Sequence, residues 1–156
     1  MRVPALGSRG QGWVWIQFAL MGVVVGFGFL PPGWPERLQL ALSIAGGSVG
    51  LAGAAFAGWA GKTMGGALTP YPRPRGDALV ENGPFASVRH PIYAGALLFF
   101  LGYGLFASPL ALALVAPLAL TWALKLRVEE RFLRERHPGY EAYSRRVRWR
   151  LVPYVY

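Results

Sequence analysis

A chain of 156 residues with 54% hydrophobic side chains and a mean hydropathy of +0.35 lies outside the range of ordinary soluble domains and is expected in a membrane. It has no cysteine, which removes disulfides, a thiolate nucleophile and cysteine metal sites; with only His90 and His137 besides, no metal is expected. The net charge of +9 would suit nucleic acid, but a cytoplasmic amino terminus puts fifteen of the sixteen basic residues on one side and leaves only Arg37 on the other. The basicity therefore reads as membrane topology with attraction for anionic headgroups, and nucleic acid is not an expected partner.

The first apolar run, 11–31, carries no acidic or basic residue and is long enough to span about 30 Å of hydrocarbon. It contains Trp13, Trp15 and Gln17 and lacks a small-x-small cleavage pattern before Pro31-Pro32, so it is expected to be retained as a helix rather than removed as a signal peptide. The second span is placed at 38–60. Gly46, Gly50, Ala54 and Gly58 recur there at four-residue intervals, and Gly22 and Gly26 do so in the first. Small residues on one stripe let helix backbones approach closely in lipid, so these helices are expected to form a scaffold or the face of a homodimer.

Residues 61–90 are too rich in Pro and Gly for a simple turn and are expected as a cytoplasmic loop. Within it Thr69-Pro-Tyr-Pro-Arg-Pro74 should be extended, because each proline biases its predecessor away from helix. Asp77-Ala78-Leu79-Val80 supplies a short apolar patch and Asn82-Gly83-Pro84 a turn, and the whole reads as a flap over the Arg89-His90-Pro91-x-Tyr93 element.

The run from Pro91 to Leu124 divides at Ser108-Pro109 into a hairpin of two spans, 91–107 and 109–126. Pro91 suits a first helical position, where its missing N–H would be unpaired anyway. Residues 127–156 complete the chain as a cytoplasmic tail. Its first part, to Arg136, is expected to leave the membrane as an interfacial helix. Tyr140, Tyr143, Trp149, Tyr154 and Tyr156 suit a headgroup layer. The predicted fold is thus all-α: an integral membrane four-helix bundle forming a single domain, with a cytoplasmic pre-hairpin loop and a C-terminal interfacial helix.

Two apolar spans deliver polar groups to the same side. Arg89, His90 and Tyr93 stand at the start of one, and Lys125, Glu129 and Glu130 at the end of the next. His90 and Tyr93 are three apart and share a face, as do Lys125 and Glu129 at four. A zwitterionic amino-acid ligand would find both charges matched there, with unpaired backbone N–H groups at the start of the third helix available to its carboxylate. Taken singly, each of these residues is an ordinary interfacial anchor. Their joint placement marks the candidate site.

Leu79-Val80, Gly83-Pro84-Phe85, Arg89-His90-Pro91-x-Tyr93-x-Gly95, Glu129-Glu130 and Tyr140-x-x-Tyr143 ahead of Val147 and Pro153 stand in this order over roughly residues 64–153. This pattern resembles the membrane methyltransferases that include isoprenylcysteine carboxyl methyltransferases and the related phospholipid methyltransferases. The resemblance implies S-adenosylmethionine as cofactor, bound from the cytosol between the hairpin and the preceding loop. It implies that Asp77, Ala78, Leu79, Val80, Phe85, His90, Pro91, Tyr93 and Glu129 line that cofactor, and that Arg89, Lys125 and Glu129 serve catalysis, with Lys125 facing the acceptor. Two positions depart from the pattern: Phe85 replaces a frequent Tyr, and Lys125 stands where Arg is expected, losing bidentate carboxylate recognition.

The reaction so implied is in-line displacement at a sulfonium methyl, with a lipophilic small molecule or lipid as acceptor, either a carboxylate or an amine; an amine would need His90 or Glu129 as base. Two other readings compete: a membrane lipid-binding or assembly protein without catalysis, and a nicotinamide-dependent reductase, which would need more spans around its substrate. Fourteen Arg against two Lys, with abundant Gly, Ala and Pro, point to a GC-rich prokaryotic genome and an inner (cytoplasmic) membrane, with both termini cytoplasmic.

Overall fold

The computed structural model describes residues 3–76, 78–153 and 155; Asp77, Tyr154 and Tyr156 therefore lie outside the described residues. Among those described there are five α-helices and no strand: α1 (Gln11–Phe27), α2 (Glu36–Met64), α3 (Pro91–Ala107), α4 (Pro109–Arg136) and α5 (Tyr140–Arg146). Two of them, α2 and α4, are long and apolar enough to cross a membrane, while α1 and α3 are shorter apolar helices of 17 residues. Leu40, Leu51 and Trp59 stand out from α2, with Leu51 74% exposed. Apolar side chains exposed in this density suit lipid rather than water, and the molecule is membrane-associated.

The α2–α3 seam is made by glycines. A Cβ on Gly46 would lie 2.5 Å from the Gly102 carbonyl oxygen, one on Gly53 2.5 Å from the Phe99 nitrogen, and one on Gly95 2.5 Å from the Ala57 nitrogen. The backbones therefore touch with no side chain between them. The sequence stripe of Gly46, Gly50, Ala54 and Gly58 is only half used: Ala54 is exposed and Gly58 faces open space, while Gly53 takes their place. A four-residue step advances the helix face by about 40°, so Gly58 has rotated about 120° from Gly46, whereas a seven-residue step returns within about 20°. Gly22 and Gly26 of α1 likewise meet nothing within 4 Å.

Helix α4 packs against α3 on one side and α1 on the other. The hairpin turns at Ser108, whose extended backbone (φ −165°, ψ 158°) ends α3, and whose Oγ accepts the Ala111 N–H at 3.1 Å. Pro109 then occupies the first position of α4. Nearby, the Tyr103 hydroxyl donates to the Val25 carbonyl at 2.7 Å and the Trp34 indole to the Gly104 carbonyl at 3.3 Å, tying this end of the helices together.

At the other end the segment from Lys125 to Arg136 is an unbroken continuation of α4, and the tail folds back beneath the hairpin. The Arg89 N–H donates to the Trp149 carbonyl and the His90 N–H to the Arg150 carbonyl, both at 2.9 Å. Tyr140 and Tyr143 of α5 are buried in the protein with Val147, a correction to their expected place among headgroups. Their spacing puts both rings on one face of a short helix, and Leu79 and Leu133 cover that face.

Candidate functional site

A cavity of about 380 Å³ opens where the loop after α2 crosses over α1, α3 and α4. Its size lies within the roughly 300–1,000 Å³ usual for small-molecule sites. Gln17, Phe18 and Met21 of α1 form one wall, Ile92, Tyr93 and Ala96 of α3 another, and Trp122 and Glu129 of α4 a third. Residues of the segments 67–75 and 78–80 form the roof, and Leu133, His137, Tyr140 and Tyr143 close the tail side. Along α4, Trp122 and Glu129 stand seven residues apart, about 10 Å, so the cavity runs from an apolar inner part to a polar mouth.

Of the residues singled out from the sequence, Ala78, Leu79, Val80, Phe85, Arg89, His90, Pro91, Tyr93 and Glu129 all border this cavity, and Asp77 lies outside the described residues. Lys125 does not border it. Its side chain is fully buried behind the wall, where Nζ donates to Gln17 Oε1 at 2.6 Å and to the Pro70 carbonyl at 2.7 Å, and sits 5.3 Å from the centre of the Tyr93 ring. The family resemblance implies that it faces the acceptor. The helix instead rotates it toward α1, where the lone amide of an apolar helix supplies the acceptor that a buried ammonium requires.

The adjacent carboxylates Glu129 and Glu130 have opposite surroundings, because one residue on a helix is a turn of about 100°. Glu130, 1% exposed, accepts both Nε and Nη2 of Arg150 at 3.0 and 3.1 Å. Arg89 Nε lies 3.2 Å from its Oε1, His90 Nε2 3.4 Å, and Arg134 Nη2 3.5 Å from its Oε2. Its lone pairs are committed to holding the hairpin, α4 and tail together. Glu129 faces the cavity, accepting the Tyr93 hydroxyl at 3.1 Å, with His90 Nδ1 3.9 Å away.

These contacts orient His90. A carboxylate can only accept, so the His90–Glu130 hydrogen bond places a ring proton on Nε2 and turns Nδ1 to the Glu129 side. Its backbone is fixed by the Arg150 carbonyl and by Pro91 immediately after it, and its ring meets Tyr93 edge to face at 6.1 Å. Arg89, expected as a catalytic residue, borders the cavity, but its guanidinium engages Glu130 and donates to the Ser144 carbonyl at 3.4 Å. Phe85 sits in the 3-10 turn Gly83–Ala86, where its carbonyl accepts the Tyr143 hydroxyl at 2.8 Å.

Burial raises the phenol pKa of both Tyr140 and Tyr143 well above the ordinary value, so each remains a neutral donor at physiological pH. Tyr140 Oη and Trp122 Nε1 have no hydrogen-bond partner among the described residues, although both side chains are almost fully buried and both border the cavity. Such groups are costly to leave unpaired, about 1–3 kcal/mol each, and a polar ligand would satisfy them. Among the described residues no group of three or more His, Cys, Asp or Glu is placed to hold a metal ion.

Sequence reasoning missed Glu130 as the hub, Arg150 as its main partner, and Gln17, Trp122 and Tyr140 as parts of the site. Gln17 gave a signal, being a lone amide in an apolar run; Trp122 gave none.

The pattern of the family described as phospholipid methyltransferase matches residues 42–138 of this chain. The chain is also similar to the cobalt-zinc-cadmium resistance protein CzcN of Cupriavidus metallidurans, with 31% identity over 147 residues. That match covers 90% of this chain and 62% of the relative, so the chain spans less than two thirds of its length. No solved structure matches the chain.

Proposed function

Because the chain belongs to the phospholipid methyltransferase family, within the isoprenylcysteine carboxyl methyltransferase-like membrane proteins, we propose that it transfers a methyl group from S-adenosylmethionine to a lipophilic acceptor at the cytoplasmic face of a membrane. The observation that carries this reading is the cavity itself: a polar mouth bordered by Glu129, His90 and Tyr140, continuous with an apolar interior bordered by Phe18, Met21 and Trp122. A charged donor and a greasy acceptor need opposite surroundings within reach of each other, and this cavity offers both.

The residues present fit such a donor. Glu129, the one acidic side chain bordering the cavity among the described residues, would meet an amino group, and the first turn of α3 offers backbone N–H groups for a carboxylate. Leu79, Val80 and Phe85 supply apolar surface for a purine ring, and the unpartnered Tyr140 hydroxyl a further donor. When bound, the cofactor supplies an electrophilic methyl on a sulfonium.

The protein then has to align the acceptor and exclude water, because a displacement of this kind needs no covalent help from the enzyme. The roof and the tail helix close the mouth side, and the neighbouring α1 and α3 walls are apolar at Phe18, Met21, Ile92 and Ala96. For an amine acceptor, His90 or Glu129 would take the proton; for a carboxylate no base is required. With Lys125 committed elsewhere, recognition of the acceptor falls to shape and to the Trp122 N–H. The acceptor enters from the bilayer, the four longer helices cross it as a bundle, and both termini lie in the cytoplasm of a prokaryotic cell.

The test is transfer of labelled methyl from S-adenosylmethionine into a membrane lipid extract by the purified protein. Label in a lipid fraction that requires Glu129 supports the reading. A folded protein that labels no fraction and binds no cofactor overturns it in favour of a non-catalytic lipid-binding protein.

A further inference from the structure

We infer that Lys125 is a positioning residue: from behind the cavity wall its ammonium fastens the proline-rich roof to α1. Two of the groups it holds, Gln17 and Pro70, border the cavity while Lys125 does not. It therefore shapes the site through other residues and does not touch its contents.

Among the described residues the roof has few other hydrogen bonds to the rest of the chain. Pro70, Pro72 and Pro74 carry no N–H, so the segment cannot join a regular hydrogen-bonded element. Among the described residues its other hydrogen bonds are longer: the Leu68 N–H to the Gly65 carbonyl at 3.1 Å, the Arg73 N–H to the Arg9 carbonyl at 3.4 Å and, within the roof itself, the Tyr71 N–H to Thr69 Oγ1 at 3.3 Å, while the Arg73 guanidinium lies 6.0 Å from the centre of the Phe132 ring. Against these, two charge-assisted bonds of 2.6 and 2.7 Å from one fully buried ammonium dominate. Pro72 adds a packing contact with Gly10, whose left-handed backbone (φ +77°) lies so close that a Cβ there would stand 2.5 Å from Pro72 Cγ.

The same ammonium lies 5.3 Å from the centre of the Tyr93 ring, whose hydroxyl holds Glu129. Roof, α1 and the Glu129 wall thus converge on one charge. Gln17 also lies outside the region that matches the family, residues 42–138, so through this tie a helix beyond that region becomes part of the site. A lysine suits the task, since three rotatable donors can serve two acceptors in different directions.

Hydrogen exchange of the full chain in detergent tests this, comparing wild type, Lys125→Met and Lys125→Arg. Lys125→Met is expected to speed exchange across residues 68–76 about tenfold while α2 and α3 stay protected, and Lys125→Arg, which keeps the charge, to restore most of the protection. Unchanged exchange at 68–76 in a folded Lys125→Met, or no restoration by Arg, overturns the inference. Should Lys125→Met not fold, Gln17→Leu removes one of the two acceptors and is expected to speed exchange there about threefold; no change overturns it equally.

The consequence for the cofactor rests on the methyltransferase reading: S-adenosylhomocysteine should bind Lys125→Met about tenfold more weakly. Loosened exchange with no binding by either wild type or variant would leave the fastening intact and remove the methyltransferase reading. Loosened exchange with unaltered affinity would show that the roof does not position the site, and would overturn the inference.

Discussion

The α2–α3 seam and the α1–α4 side of the molecule join helices in opposite ways. In the seam, glycine backbones touch at Gly46, Gly53, Gly95 and Gly102 with no side chain between them. On the α1–α4 side, side chains such as Trp122, Gln17 and Met21 fill the space between helices and loop, polar groups are buried, and a cavity of about 380 Å³ remains. The difference teaches where adaptability resides. A seam made of backbone has two states, packed or broken, whereas a side built from long side chains and ion pairs can be altered one contact at a time.

The largest expected effect lies where buried charge is concentrated. Glu130→Ala strips Arg89, Arg150 and His90 of their shared partner and should cost about 3–5 kcal/mol of stability, read by thermal unfolding in detergent. In the seam, Gly102→Val puts side-chain atoms into the Gly50 backbone and should cost about 1–3 kcal/mol or prevent folding. A well-folded Gly102→Val protein would mean that α2 and α3 are not in backbone contact. Smaller again, Tyr143→Phe removes one hydrogen bond, to the Phe85 carbonyl, for about 1 kcal/mol, and should be accompanied by faster amide exchange at Gly83–Ala86. Gly26→Ala, in open space on α1, should change stability by less than about 0.5 kcal/mol; a large loss would reveal a contact that this helix does not make within the chain.

Much of the helical layout was legible because punctuation in the sequence is strong. Pro91 opens α3, Ser108-Pro109 separates it from α4, and the apolar runs between charges have helical length. The seam was half legible: glycines announced close packing, but which of them face a partner depends on a rotation of a few tens of degrees that a four-residue repeat does not set.

The site was legible to a similar degree. Local spacing brought His90, Tyr93 and Glu129 forward, since they stand on two helix ends joined by a short hairpin. It singled out Glu129 but did not show what Glu130 does, because that carboxylate is held by Arg150 in the tail, 20 residues further on. Nor did it place Lys125, whose partner Gln17 is 108 positions away. Long-range pairs of this kind are decided by tertiary packing, which residue type and spacing do not encode.

The central claim is that Glu129 and its surroundings bind S-adenosylmethionine. Calorimetric titration of the purified wild type and of Glu129→Ala with S-adenosylhomocysteine tests it most directly. Micromolar binding in the wild type, lost in a variant that unfolds within a few degrees of it, is the predicted result. Absence of binding to a demonstrably folded wild type, or equal affinity in the variant, would contradict it.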